Sequence, residues 1–87
     1  MLEKYIDIKN ETGLNARASS ALVKKASEFK SQCFIIKDGN EYNCKSIIHI
    51  MSMLARKGDK ILLRVEGSDQ ERALKELTQL IKNIKDY

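Results

Sequence analysis

The chain has 87 residues, 43% of them hydrophobic and 32% charged, with a formal net charge of +4 and neither Pro nor Trp. That is the balance of an ordinary soluble globule, and the length predicts one domain over residues 1–87. No apolar run approaches the ~20 residues of a membrane span, and the opening residues, with acidic Glu3 and Asp7 and no apolar core, do not read as a signal peptide, so the expected location is cytoplasmic.

Residues 2–9 alternate, with Leu2, Ile6 and Ile8 on one face and Glu3, Tyr5 and Asp7 on the other, which predicts a half-buried strand. A turn through Asn10, Glu11, Thr12 and Gly13 leads to a helix over 16–29, where Ala18, Leu22, Ala26 and Phe29 recur at helical spacing and Asn15 stands at the N-cap. Residues 33–37 and 40–44 flank Asp38-Gly39, the dipeptide of a type I′ hairpin turn. A two-residue loop pairs Lys37 with Asn40, Ile35 with Tyr42 and Cys33 with Cys44. The two cysteines form no metal motif; facing each other, they are either packed small hydrophobes, the expectation in a reducing compartment, or a bridge.

Residues 47–55 predict a short helix capped by Ser46. Its Ile47, Ile48, Ile50, Met51, Met53 and Leu54 are apolar nearly all round, so part of it must be exposed. Residues 60–66 alternate again, with Ile61, Leu63 and Val65 on one face. Ser68-Asp69-Gln70-Glu71 has the S-x-x-E form of a capping box, and the helix after it carries an apolar stripe of Ala73, Leu74, Leu77, Leu80, Ile81 and Ile84. The order β-α-β-β-α-β-α predicts one sheet with the helices on one side and water on the other. Tyr5, Phe34, Ile36 and Leu62 then point to the open face, either as a self-association stripe giving a homodimer or as scattered exposed residues.

Two segments carry a resemblance. Thr12-Gly13-Leu14-Asn15-Ala16-Arg17-Ala18 resembles the phosphorylation loop of the HPr family, the phosphocarriers of the bacterial sugar phosphotransferase system, which usually reads T-G-L-H-A-R-P. Asn43-Cys44-Lys45-Ser46-Ile47-Ile48-His49-Ile50-Met51-Ser52 resembles the family's regulatory serine segment, usually N-A-K-S-I-M-G-L-M-S. The resemblance spans the chain without a gap. It implies an α+β fold, an open-faced sandwich of a four-stranded antiparallel sheet with three helices on one face.

In that family the residue matching Asn15 is a histidine that takes phosphate on a ring nitrogen. An amide nitrogen is no substitute, because its lone pair is delocalised into the carbonyl. The family's Pro is Ala18 here, whereas Gly13, Leu14 and Arg17 are kept. The pattern is similar to the catabolite-repression HPr proteins of some Gram-positive bacteria, which also have an amide there. Resemblance to these implies phosphorylation on Ser46 by the serine kinase of the HPr system, and action as corepressor for a LacI-type transcription regulator.

Each site residue has two readings. Ser46 is a plain cap or a phosphosite, where phosphate adds about −1.5 to −2 charges at a helix start that favours anions, beside exposed Ile47, Ile48 and Met51. Arg17 is a solvated arginine or a fork for a partner's phosphate or carboxylate. Asn15 reads as a cap. His49, where the family usually has Gly, is a surface or packing histidine, a replacement phosphate carrier, or an imidazolium near phosphoserine.

The expected function is therefore a regulatory phosphoprotein of carbon catabolite repression. The alternatives are a phosphocarrier using another acceptor, or an HPr-fold binding module. No catalytic activity is expected, since no nucleophile–base pair, metal constellation or phosphate-cradling glycine loop is present, and no cofactor or metal is implied. No helix-turn-helix, zinc motif or aromatic platform points to direct nucleic-acid binding.

Overall fold

The computed structural model describes residues 1–85; Asp86 and Tyr87, the end of the expected 1–87 span, lie outside the described residues. The elements are β1 (Leu2–Asp7), α1 (Ala16–Ala26), β2 (Gln32–Lys37), β3 (Asn40–Asn43), α2 (Ile47–Ser52), β4 (Lys60–Glu66) and α3 (Gln70–Lys82). The strands form one antiparallel sheet in the order β1-β4-β2-β3. This is the expected α+β open-faced sandwich.

Alternation decides which side of the sheet is wet. Ile6, Ile35, Ile61, Leu63 and Val65 point to the helices and are buried, where Leu22 of α1, Ile50 of α2 and Leu77 of α3 meet them. Each such aliphatic side chain stabilises the fold by about 1.5–3 kcal/mol relative to exposure. The hairpin has the expected register, Lys37↔Asn40 and Ile35↔Tyr42, with positive φ at Asp38 (52°) and Gly39 (79°). The Cys44 N–H donates to the Cys33 carbonyl at 2.9 Å, so the cysteines do face each other. Both are free and buried, and burial pushes both thiols up, which leaves them inert packing groups.

Three expectations need correction. First, the helix expected over 16–29 ends at Ala26. The Ser27 hydroxyl donates to the Val23 carbonyl at 2.8 Å, and tightened bonds from Glu28 to Lys25 (3.0 Å) and from Phe29 to Ala26 (3.2 Å) carry the chain on. Second, the helix expected over 47–55 ends at Ser52, and Leu54 takes φ 53°, reversing the chain.

Third, the capping box at Ser68–Glu71 does not form. The N-cap of α3 is Asp69, and its carboxylate caps nothing on its own helix. It accepts instead from the Lys30 and Ser31 backbone N–H groups, both at 2.9 Å, and from the Ser31 hydroxyl. The Ser31 hydroxyl bond and the two amides hold the carboxyl down at about 2.

On the open face Tyr5, Leu62 and Ile36 are aligned across β1, β4 and β2. Only Tyr5 of the expected stripe is largely exposed (66%); Phe34, Ile36 and Leu62 are half-buried. Arg64, opposite Phe34, separates it from β1 and pairs with Glu3 (2.6 Å) and Glu41 (3.5 Å).

Candidate functional site

The loop before α1 is built to hold a fixed shape. Gly13 has φ 59° and is buried, and a Cβ there would run into the Ala55 carbonyl oxygen and lie 2.8 Å from the Arg56 Cα. Only glycine fits both the turn and that approach. The Leu14 N–H donates to the same Ala55 carbonyl at 3.0 Å, and the buried Ser19 hydroxyl donates to the Leu14 carbonyl at 3.1 Å. Backbone thus ties the loop to the chain leaving α2.

Asn15 is the cap of α1. Its Oδ1 accepts the Ala18 N–H at 2.9 Å and its Nδ2 donates to the Thr12 hydroxyl at 3.0 Å. Both ends of the amide are engaged. Lys24 and Lys25 in the last turn of α1 complement the helix dipole at the other end. Arg17 is exposed on the first turn and lines a shallow hollow with Ala18, Ala21, Leu80 and Lys85.

The second segment leads into α2. Asn43 turns the chain: its Oδ1 accepts the Lys45 N–H at 2.9 Å and its carbonyl accepts the Ser46 N–H at 3.1 Å. Ser46 is the N-cap, accepting the His49 N–H at 3.3 Å on Oγ. No acidic residue lies in the first turn of α2. Beyond the cap Ile47 (37%), Ile48 (78%) and Met51 (42%) are exposed, while Ile50 anchors the helix in the core.

Sequence reasoning missed two contributors, the partners of Lys45 and of Glu11. The Lys45 ammonium does not reach solvent freely but donates to the Phe29 carbonyl at 2.8 Å, pinning the turn to the end of α1. Leu54, already part of the apolar run expected to be partly exposed, is 64% exposed and extends the apolar surface of α2. Glu11 of the first loop pairs with Lys57. Neither the Lys45 nor the Glu11 pairing carries a local signal, since each depends on contacts across the fold. The structure brings Asn43, Ser46 and His49 together in one hydrogen-bonded turn, and places Asn15 and Arg17 at the start of α1, which packs on α2. Among the described residues, no group of acidic, histidine and cysteine side chains could hold a metal ion.

The model of the PTS HPr component phosphorylation site matches residues 2–83, and the chain belongs to the HPr phosphocarrier family. Among curated relatives, the HPr-like protein Crh of Halalkalibacterium halodurans is 41% identical over 81 residues, covering 93% of this chain and 96% of that protein. Among solved structures, HPr-C-His of Thermoanaerobacter tengcongensis superposes with a TM-score of 0.90 at 45% identity, covering 94% of this chain and 92% of that one. Bacillus subtilis Crh, a dimer with a swapping domain, superposes with a TM-score of 0.77 at 33% identity, over 94% of both chains. Identity to HPr and to Crh is of similar size, so the site residues must separate a carrier from a regulator.

Proposed function

We propose that this chain is a regulatory HPr-family protein that takes phosphate from ATP on Ser46 and carries none at position 15. The observation that carries this reading is Asn15. It stands where the family motif has its phosphoacceptor histidine, and both ends of its amide are held by Ala18 and Thr12. It offers neither a nucleophilic lone pair nor freedom to move.

His49 does not replace the lost nucleophile. Its Nδ1 accepts the Asn43 N–H at 2.9 Å, so the neutral ring bears its hydrogen on Nε2. The lone pair that would attack phosphorus is the one engaged by the Asn43 N–H, which supports reading His49 as a structural residue.

Ser46 fits the serine role. It heads a helix with no acid in its first turn and has an apolar surface of Ile47, Ile48 and Met51 beside it. A phosphate there adds charge at the rim of that surface and so changes what docks on it. The kinase is the serine kinase of the HPr system, and the partner is a LacI-type transcription regulator, which Arg17 meets through its guanidinium fork. The protein acts by binding in the cytoplasm rather than by catalysis of its own. It self-associates through the Tyr5–Leu62–Ile36 row of the open face; sedimentation as a monomer at high micromolar concentration would refute that part.

The test of function is intact mass after incubation with ATP and the kinase. One phosphate is expected, absent in Ser46→Ala. A wild-type chain that stays unmodified would contradict the reading.

A further inference from the structure

His49 is the chain's only histidine and stands exposed on α2. Its ring Nδ1 accepts the Asn43 N–H at 2.9 Å, and its own N–H donates to the Ser46 Oγ at 3.3 Å. The ring meets Tyr42 edge-on, centroids 5.9 Å apart at 71°. Its carbonyl accepts the Ser52 hydroxyl at 2.7 Å.

The strand pairing explains why Asn43 needs such a partner. β3 is an edge strand, bonded only to β2. Counting from the two-residue turn, Lys37 and Asn40 form a hydrogen-bonded pair, as do Ile35 and Tyr42, whereas Phe34 and Asn43 form a non-bonded one. The Asn43 N–H therefore points away from the sheet. The imidazole supplies the acceptor that a further strand would have supplied. Asn43 in turn closes the turn that presents Ser46, through its Oδ1 and its carbonyl. One residue of α2 thus clasps both ends of the segment from 43 to 46.

We propose that His49 is the positioning residue of the Ser46 site, its Nδ1 fixing the Asn43–Ser46 turn in the geometry a kinase must meet. This rests on the reading of Ser46 as a kinase substrate. In that reaction the Ser46 Oγ bonds to the γ-phosphorus of ATP, the bond to the β-phosphate oxygen breaks, ADP leaves, and the hydroxyl proton passes to a base of the kinase. Such an in-line transfer is sensitive to small misplacements of the hydroxyl, so an unclasped turn slows it without touching the nucleophile.

Three variants separate the acceptor from the ring. His49→Asn keeps an acceptor on the atom bonded to Cγ, His49→Gln moves it one bond further out, and His49→Ala removes it. Two readouts apply: hydrogen exchange of the Asn43 amide, and kcat/KM for phosphorylation of Ser46 from ATP by the serine kinase. The Ala and Gln variants are expected to exchange Asn43 about tenfold faster and to lose about tenfold in kcat/KM, while Asn stays within about twofold on both. Ala and Gln variants phosphorylated as fast as the wild type would overturn the inference and leave the proposed function standing. A loss shared equally by Asn would overturn it too, because the effect would then belong to the imidazole and not to the acceptor. A wild type that takes no phosphate would remove the proposed function itself, and this inference with it.

Discussion

The loop before α1 and the turn before α2 both present a capped helix start, and they are held in different ways. The first is locked by backbone: Gly13 lies where no side chain fits, and Leu14 bonds to Ala55 in the interior of the fold. The second is held from outside, by Asn43, His49 and Lys45. Within α2 only Ile50 is buried, and in the turn itself Cys44 is the buried residue, while the outer face of the helix is apolar and open. A loop locked in the interior suits a scaffold, whereas a turn held from the surface, with a hydroxyl beside an apolar face, suits the switch proposed for Ser46.

Breaking the locked loop has the largest expected effect. Gly13→Ala sets a Cβ against the Ala55 carbonyl at positive φ and is expected to lower stability by roughly 2–4 kcal/mol in urea denaturation. Next comes Ser46→Ala, expected to abolish phosphorylation from ATP while losing only about 1 kcal/mol of capping energy in the same assay. A comparable loss in both variants would mean the two regions are equally rigid. Asn15→His sharpens the contrast by returning the motif's ring to the intact loop. It is expected to gain an acid-labile phosphate from phosphoenolpyruvate and the first enzyme of the system, and to lose about 1 kcal/mol with the cap.

The smallest effect is one of pH. Asp69 is held at about 2 in the fold against an ordinary 3.8, so between these values the unfolded chain binds more protons than the folded one. The stability it contributes is fully present above the ordinary value and is lost as pH falls toward 2. In Asp69→Asn the fall in melting temperature between pH 5 and pH 2 is expected to be shallower than in the wild type.

The same Asp69 shows where sequence reading stops. Strand alternation and Asp38-Gly39 were enough to place the sheet faces and the hairpin register, because both are local and have a period of two or a fixed turn geometry. Ser68–Glu71 has an equally local capping signature, yet the Asp69 carboxylate goes to Lys30 and Ser31, 39 and 38 residues away. A local pattern cannot weigh a partner it does not contain. The caps at Asn15 and Ser46 were legible for the converse reason, since each bonds within its own first turn. His49 was visible as an unusual residue, but its task depends on the unpaired edge of β3, which only the assembled sheet exposes.

Where phosphate goes separates a regulator from a carrier. The direct test exposes one preparation of the wild-type protein to phosphoenolpyruvate with the first enzyme of the phosphotransferase system and another to ATP with the serine kinase, then weighs both intact and maps any modified residue. As a regulator, the protein is expected to take a single phosphate on Ser46 from ATP and none from phosphoenolpyruvate. An acid-labile phosphate from phosphoenolpyruvate, on His49 or elsewhere, would contradict that role and return the chain to the carriers.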